Sequence, residues 1–197
     1  MSHSARALVA QARNCQACKP DLPYPPRPIF MFAERAPLLI LGQAPGKIAH
    51  TKGIAWADAS GARLRAWLGL SEQQFYRQGL VNVLPMSFCF PGYQNGADAP
   101  PIKACSEKWH APFLDISQPK LTLCVGRYSQ AQYMPEYRSL TTAVEAWESE
   151  LNKGRIALPH PSGRNNRWLA KHPWFERTTL PAVRRAVADV VSQFAAT

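Results

Sequence analysis

Four short apolar runs, each followed at once by a glycine or a proline, constrain the fold of this chain more than any other feature. They occupy residues 37–41, 80–84, 121–125 and 155–158. Runs that are apolar throughout are typical of parallel strands buried on both faces of a sheet. Longer amphipathic stretches lie between them and predict crossover helices. We therefore expect an α/β fold, a three-layer α/β/α sandwich around a central four-stranded, mainly parallel sheet.

The stretches between the runs predict helices at residues 61–68, 71–77, 102–114, 127–133 and 141–151. A last helix is expected to open at Thr178 or Thr179 with Pro181 in its first turn. The proline-rich segment 20–28 suits neither regular element and is interpreted as an extended strap after an N-terminal helix. A length of 197 residues fits one domain spanning residues 1–197.

The formal net charge is +10, which makes a polyanion such as nucleic acid the first partner to consider. No apolar run approaches the roughly 20 residues of a membrane-spanning helix. The N-terminal residues lack the apolar stretch and small-residue cleavage site of a signal peptide. These features predict a cytoplasmic protein without a membrane partner.

Ligands of open α/β sheets bind beyond the carboxyl ends of the strands, so the segments after the runs are the candidate site. The first is the turn 42–46, whose glycines let backbone amides converge on an acceptor oxygen, although an ordinary strand-to-helix turn reads the same way. Farther on, Trp56 and Asp58 precede a predicted helix. Trp56 is either a ring for a ligand or core, and Asp58 is either a functional carboxylate or a helix cap.

Two further segments carry polar groups. Asn82 stands inside the second run, where its amide suits the edge of a base or a buried bond to the backbone. The fourth run leads into a stretch that holds His160 between two prolines, where an ordinary turn is the alternative to a rigidly placed imidazole. The polar residues after it suit contacts with phosphates or a DNA groove: Ser162, Gly163, Arg164 and Asn165.

The phrases GQAPG, WADASG and HPSGRNN, in this order, resemble those of the uracil-DNA glycosylase superfamily, and most closely the bacterial iron-sulfur families four and five. The resemblance extends over nearly the whole chain. It implies a repair enzyme that flips uracil, or another deaminated base, out of DNA and hydrolyses its N-glycosidic bond to leave an abasic site.

The resemblance also implies roles for individual residues. Trp56 takes the position that stacks on uracil, and Asn82 the position that pairs with its N3–H and O4. The backbone amides of Gln43 and Ala44 would contact O2. His160 would donate to the departing base, and Asp58 would orient or deprotonate the attacking water.

One departure from family four affects which residue would act as the general base. Residues 47–50 are Lys, Ile, Ala and His, where that family carries acids. The setting of Asp58 is closer to that of family five, which indicates a less typical branch. His50 remains a second candidate for activating water.

The cysteines are the last element of the resemblance. Cys15, Cys18, Cys89 and Cys105 resemble the four-thiolate pattern of the iron-sulfur families. By residue type alone, four thiolates suit either iron-sulfur or zinc, and a four-iron, four-sulfur cluster is what the resemblance implies. The alternative is a set of unrelated buried thiols, which is how we interpret Cys124 in the third run.

Two other functions remain open at this point. One is a catalytically silent relative that binds uracil-containing DNA, or traps it covalently. The other is a cluster-bearing redox or RNA-binding protein on a similar sheet, although it explains neither the Trp56 and Asp58 pair nor the histidine stretch. We expect a monomer, because the repair of one base needs one site.

Overall fold

The computed structural model describes residues 1–195 and confirms the predicted α/β architecture. Its strands are β1 (Leu38–Leu41), β2 (Val81–Val83), β3 (Tyr93–Gln94), β4 (Ala97–Asp98), β5 (Leu121–Val125) and β6 (Arg155–Leu158). Within the described residues, four strands form the central sheet in the order β2-β1-β5-β6, and every pairing in it is parallel. β3 and β4 form a separate antiparallel hairpin.

The sheet is the centre of the core. Leu38 of β1 pairs with Val81 on one side and Leu121 on the other, and Leu123 of β5 pairs with Ile156. Most side chains of these strands are fully buried, which is why the strands are predominantly apolar, with Asn82, Thr122 and Arg155 as the polar exceptions.

Helices surround the sheet to give the three-layer α/β/α sandwich. They are α1 (His3–Arg13), α2 (Lys47–Lys52), α3 (Ala59–Leu68), α4 (Glu72–Phe75), α5 (Lys103–Asp115), α6 (Arg127–Tyr133), α7 (Leu140–Glu145), α8 (Trp147–Asn152), α9 (Asn166–Lys171) and α10 (Leu180–Ala195). Within residues 1–195, the structure contains no helix with the length and apolar character needed to cross a membrane.

Two predicted helices differ in detail. The segment 141–151 is two helices, because the backbone at Ala146 leaves helical geometry with a ψ of 17°. The last helix is preceded by a π-helical turn at Phe175–Thr179 and begins at Leu180, close to the predicted start. The sequence did not predict α2, α9 or the β3–β4 hairpin.

The proline-rich strap has a structural function at α2. Arg27 donates from Nη1 to the carbonyl oxygens of His50 and Thr51 at 2.7 and 2.9 Å. These are carbonyls of the last turn of the helix, which have no partner inside it. The strap therefore caps α2 and holds it beside the turn at residues 42–46.

Candidate active site

A cavity of about 320 Å³ opens at the carboxyl ends of the central strands. The strand order reverses between β1 and β5, and in open α/β sheets the crevice at such a point is where ligands bind. Gly42 follows β1 and Gly126 follows β5, and both line the cavity. His160, which lies just beyond β6, lines it as well. The topology thus accounts for the position of the cavity.

The first loop, residues 42–46 after β1, supplies backbone amides to the cavity. Gln43 and Ala44 line the cavity, and within residues 1–195 neither amide donates a hydrogen bond to another backbone group. A methyl group on Gly42 would lie 3.3 Å from Cζ2 of Trp56. The glycine therefore lets the indole ring approach the loop closely.

Trp56 lies in the cavity on a strained backbone. Its φ is +56°, in the left-handed region that a tryptophan rarely adopts. Two contacts hold it there. Its carbonyl accepts a hydrogen bond from Nη1 of Arg65 at 3.1 Å, and it packs so tightly on Gly61 that a methyl group there would lie 1.7 Å from the oxygen. Strain that the surroundings maintain in this way is typical of functional sites.

Asp58 is a helix cap and a cavity residue at once. Its Oδ1 accepts from the amide of Gly61 at 2.8 Å, which caps α3. Its Oδ2 would lie 3.8 Å from a methyl group on Gly46, another cavity residue. The two interpretations of this aspartate are therefore compatible, because each uses a different oxygen.

His160 packs beside Trp56 in the lining of the cavity. The two ring centroids are 5.5 Å apart and the planes are inclined by 31°. Nδ2 of Asn165 donates to the carbonyl of His160 at 2.6 Å and fixes its backbone. Burial lowers the pKa of His160, while the nearby Asp58 carboxylate acts in the opposite direction. The ring is therefore neutral at physiological pH.

The residues predicted to contact DNA also organise the cavity. Ser162, Arg164 and Asn165 line it, whereas Gly163 begins a short 3₁₀ turn beside it. Nη2 of Arg164 donates to the carbonyl of Gly96 at 2.6 Å. The loop after β6 that carries His160 and Arg164, called the histidine loop below, is thus bonded directly to the β3–β4 hairpin.

Asn82 does not reach the cavity, and its predicted contact with a base does not fit this structure. Its side chain is fully buried, accepting from the amide of Ala33 at 2.7 Å and donating to the carbonyl of Ala33 at 3.0 Å. Successive side chains of a strand point to opposite faces, and the neighbouring Val83 is the one that lines the cavity. The alternative interpretation, an amide satisfied by the backbone, describes the observed residue.

His50 also lies elsewhere. Its ring packs between Tyr24 and Phe90, at centroid distances of 5.4 and 5.9 Å, and it is absent from the cavity lining within residues 1–195. Burial lowers the pKa of His50, and the charges of Lys47 and Arg27 lower it further. This placement does not fit the activation of water in the cavity.

The structure adds two charged residues that sequence reasoning missed, Asp98 on β4 and Arg127 at the start of α6. A methyl group on Gly46 would lie 3.7 Å from Oδ2 of Asp98, so Asp98 and Asp58 approach the same point. Partial burial raises the pKa of Asp98, Arg164 lowers it, and Asp58 raises it.

The signal for this hairpin was in the sequence. Asn95 and Gly96 have φ values of +51° and +71°, and Asn-Gly is the preferred pair for a tight hairpin turn with two positive φ angles.

Arg127 follows Gly126, whose φ of +91° brings the chain against His160. Inspection of the first two residues after each strand would have identified Arg127.

Four of the five cysteines line a second, small pocket, namely Cys15, Cys18, Cys89 and Cys105. Burial, together with a smaller contribution from the other thiols of the pocket, raises the pKa of Cys89 to about 11 and that of Cys105 to about 12. Cys105 Sγ also accepts from the amide of Phe88 at 3.2 Å.

A shared, desolvated pocket fits a group that binds thiolates and replaces their protons with positive charge. In residues 1–195, no set of three or more His, Cys, Asp or Glu side chains is arranged to hold a single metal ion.

The parallel sheet and the cavity at its switch point define an α/β protein whose candidate site carries an aromatic ring, a histidine and two carboxylates. The sequence comparison agrees with this class. The chain matches the family model of the Uracil DNA glycosylase superfamily over residues 30–184 and belongs to that superfamily. Membership supports DNA glycosylase activity, a hydrolysis of DNA repair, with DNA as the partner.

Proposed function

We propose that the protein excises uracil from DNA by hydrolysing its N-glycosidic bond and leaves an abasic site. The observation that carries the proposal is the convergence of Trp56, Asp58 and His160 on one cavity at the switch point of the sheet. A base inside a duplex is inaccessible to such a cavity, so the nucleotide must be extruded into it.

Trp56 and the first loop bind the base in this account. The indole supplies a flat face for stacking on the pyrimidine. The amides of Gln43 and Ala44 supply donors for its O2, since neither is committed to another backbone group in the described part of the chain. Asn82 has no role in this account, because its amide is bonded to Ala33.

His160 stabilises the departing base. Cleavage leaves negative charge on uracil, and a donor aimed at O2 stabilises that charge most in the transition state. A neutral imidazole carries one ring N–H that donates to O2, and the lowered pKa of His160 favours this neutral form. Asn165 holds the backbone of the histidine in place.

Two carboxylates serve the sugar and the attacking water. Oδ2 of Asp58 is available because its Oδ1 caps α3. Asp98 approaches the same point from the hairpin. Together they counter the positive character of the sugar as the bond breaks, and either one accepts a proton from water.

The test is incubation with a labelled oligonucleotide that contains one uracil, followed by alkali and a denaturing gel. The same strand with thymine at that position is the control. Cleavage at uracil alone is the expected result. An intact uracil strand under conditions where the protein binds it would refute the proposal.

We further propose that Cys15, Cys18, Cys89 and Cys105 hold a four-iron, four-sulfur cluster. Support comes from the pocket that these cysteines share and from their spacing in the sequence. Hydrolysis of the glycosidic bond needs no electron transfer, so the cluster when bound supplies a cross-link between distant segments. Iron and sulfide analysis distinguishes it from zinc, which binds thiolates without visible colour.

A further inference from the structure

Tyr93 on the hairpin is a large aromatic side chain that the proposed reaction does not use. It is 62% exposed, the most exposed of the large hydrophobic side chains in residues 1–195. Its ring packs edge-on against the buried ring of Phe90, with centroids 5.2 Å apart and planes inclined by 76°. The buried Phe90 ring therefore supports the Tyr93 ring, while much of the Tyr93 ring stays open to solvent.

The register of the hairpin places Tyr93 beside the cavity. Tyr93 and Asp98 are directly opposite each other in the antiparallel pair, so their side chains lie on the same face. Asp98 lines the cavity. Arg164 ties the hairpin turn to the histidine loop through the carbonyl of Gly96. Tyr93 therefore lies on the hairpin face that carries a cavity-lining residue, although within residues 1–195 it does not line the cavity itself.

The surroundings of Tyr93 carry a second ring and a positive charge. Tyr24, which is 37% exposed, also packs against Phe90, with ring centroids 5.9 Å apart. Nζ of Lys47 lies 3.5 Å from the centre of the Tyr24 ring. Exposed rings beside basic side chains are the combination that binds single-stranded nucleic acid, the rings stacking on bases and the cations meeting phosphates.

We propose that Tyr93 is the stacking platform for the base next to the extruded nucleotide on an unpaired DNA strand. This inference rests on the proposed function, because it takes the cavity to hold a flipped base. Extrusion of the nucleotide removes one stacking neighbour from each of the two adjacent bases. The open ring of Tyr93 replaces that neighbour for one of these bases. Stacking on a ring is tolerant of sequence, so the platform favours single-stranded or locally unpaired DNA without a sequence preference.

The test compares two single strands by fluorescence anisotropy. Both carry 2′-fluorinated deoxyuridine, which resists hydrolysis, and in one of them the neighbouring nucleotide lacks its base. Each neighbour is tested in turn. The wild-type protein is expected to bind roughly tenfold more weakly when the base of one neighbour is missing, which is within the range of one base–aromatic contact.

Tyr93→Ala is expected to bind the complete strand roughly tenfold more weakly and to be insensitive to the missing base. Tyr93→Phe keeps the ring and is expected to behave as wild type, while Tyr93→Leu keeps apolar volume and is expected to behave as Tyr93→Ala. If wild type and Tyr93→Ala respond equally to the missing base at both neighbours, or if neither binds DNA, the platform is refuted.

Excision of ordinary uracil, measured on the same preparations, separates this inference from the proposed function. Coupling between Tyr93 and the neighbouring base without excision would refute the glycosylase proposal and support the platform. Excision without coupling would refute the platform alone.

Discussion

At the scale of single residues, Asp58 shows how one side chain caps a helix and lines the cavity at the same time. Its cap to Gly61 fixes the start of α3, and the same contact aims its second oxygen at the cavity. A sequence presents these as alternatives, because it does not show which oxygen is used. The structure resolves the choice by giving each oxygen its own environment.

Asn82 shows what the sequence pattern could not reveal, namely which face of its strand a side chain occupies. The residues on both sides of it are apolar and buried, so the pattern does not reveal which face of the strand points to the cavity. A shift of one residue reverses every side chain of a strand. The bond to Ala33 depends on a segment 49 residues away and leaves no local signal in the sequence.

Gly61→Ala tests the strained backbone of Trp56. The added methyl group would meet the carbonyl oxygen of Trp56 at 1.7 Å, and backbone is costly to displace. We expect the free energy of unfolding to fall by about 3 kcal/mol, at the upper end of overpacking effects. Chemical denaturation measures it, with the exposed Ala62→Ser as the control. An unchanged stability would show that Trp56 is not held by this contact.

Asp98→Asn tests the second carboxylate. The pKa of Asp98 is raised chiefly by partial burial, so acidification protonates it earlier than an ordinary aspartate and removes its ability to accept a proton. Arg164 and Asp58 are the charges that face it. We expect kcat/KM to fall about a hundredfold in the variant, a typical acid–base contribution.

The pH profile of the same variant should lose the acidic limb that Asp98 contributes. Asp115→Asn changes an exposed carboxylate at the end of α5 and should leave both rate and profile unaltered. A profile identical to that of wild type in Asp98→Asn would exclude Asp98 from the chemistry.

At the scale of secondary structure, the elements of the core were predictable and those of the rim were not. The four central strands lie within one residue of their predicted bounds, because burial on both faces requires continuous apolar runs. The hairpin and α2 have only two and six residues per element and depend on partners distant in sequence, such as Arg164 and Arg27. Asp98, which lines the cavity and was not predicted, belongs to this rim.

Cys89→Ser tests the proposed cluster as a link between elements. Its four cysteines come from the segment after α1, the segment after β2 and helix α5, which are far apart in the chain. We expect the variant to lose visible absorption and to unfold at a lower temperature, since a cross-link of long segments is removed. Cys124→Ser is the matched control, because Cys124 is buried in β5 outside that pocket. Retained absorption in Cys89→Ser would exclude this residue as a ligand.

At the scale of the whole molecule, the site follows from the topology. The reversal of strand order between β1 and β5 creates the crevice, and the loops after β1, β5 and β6 supply most of its functional groups. This explains why segments that follow different strands in the sequence lie together around the cavity. It also explains why Asn82, whose side chain lies on the other face of its strand, was misplaced.

The most direct measurement is single-turnover excision of uracil by wild type and Asp58→Asn. Asparagine caps helices about as well as aspartate, so the variant keeps α3 and loses only the charge in the cavity. The account predicts excision by wild type and a rate at least about a hundredfold lower in the variant, with DNA affinity nearly unchanged. Absence of excision by wild type, or equal rates in the two proteins, would contradict it.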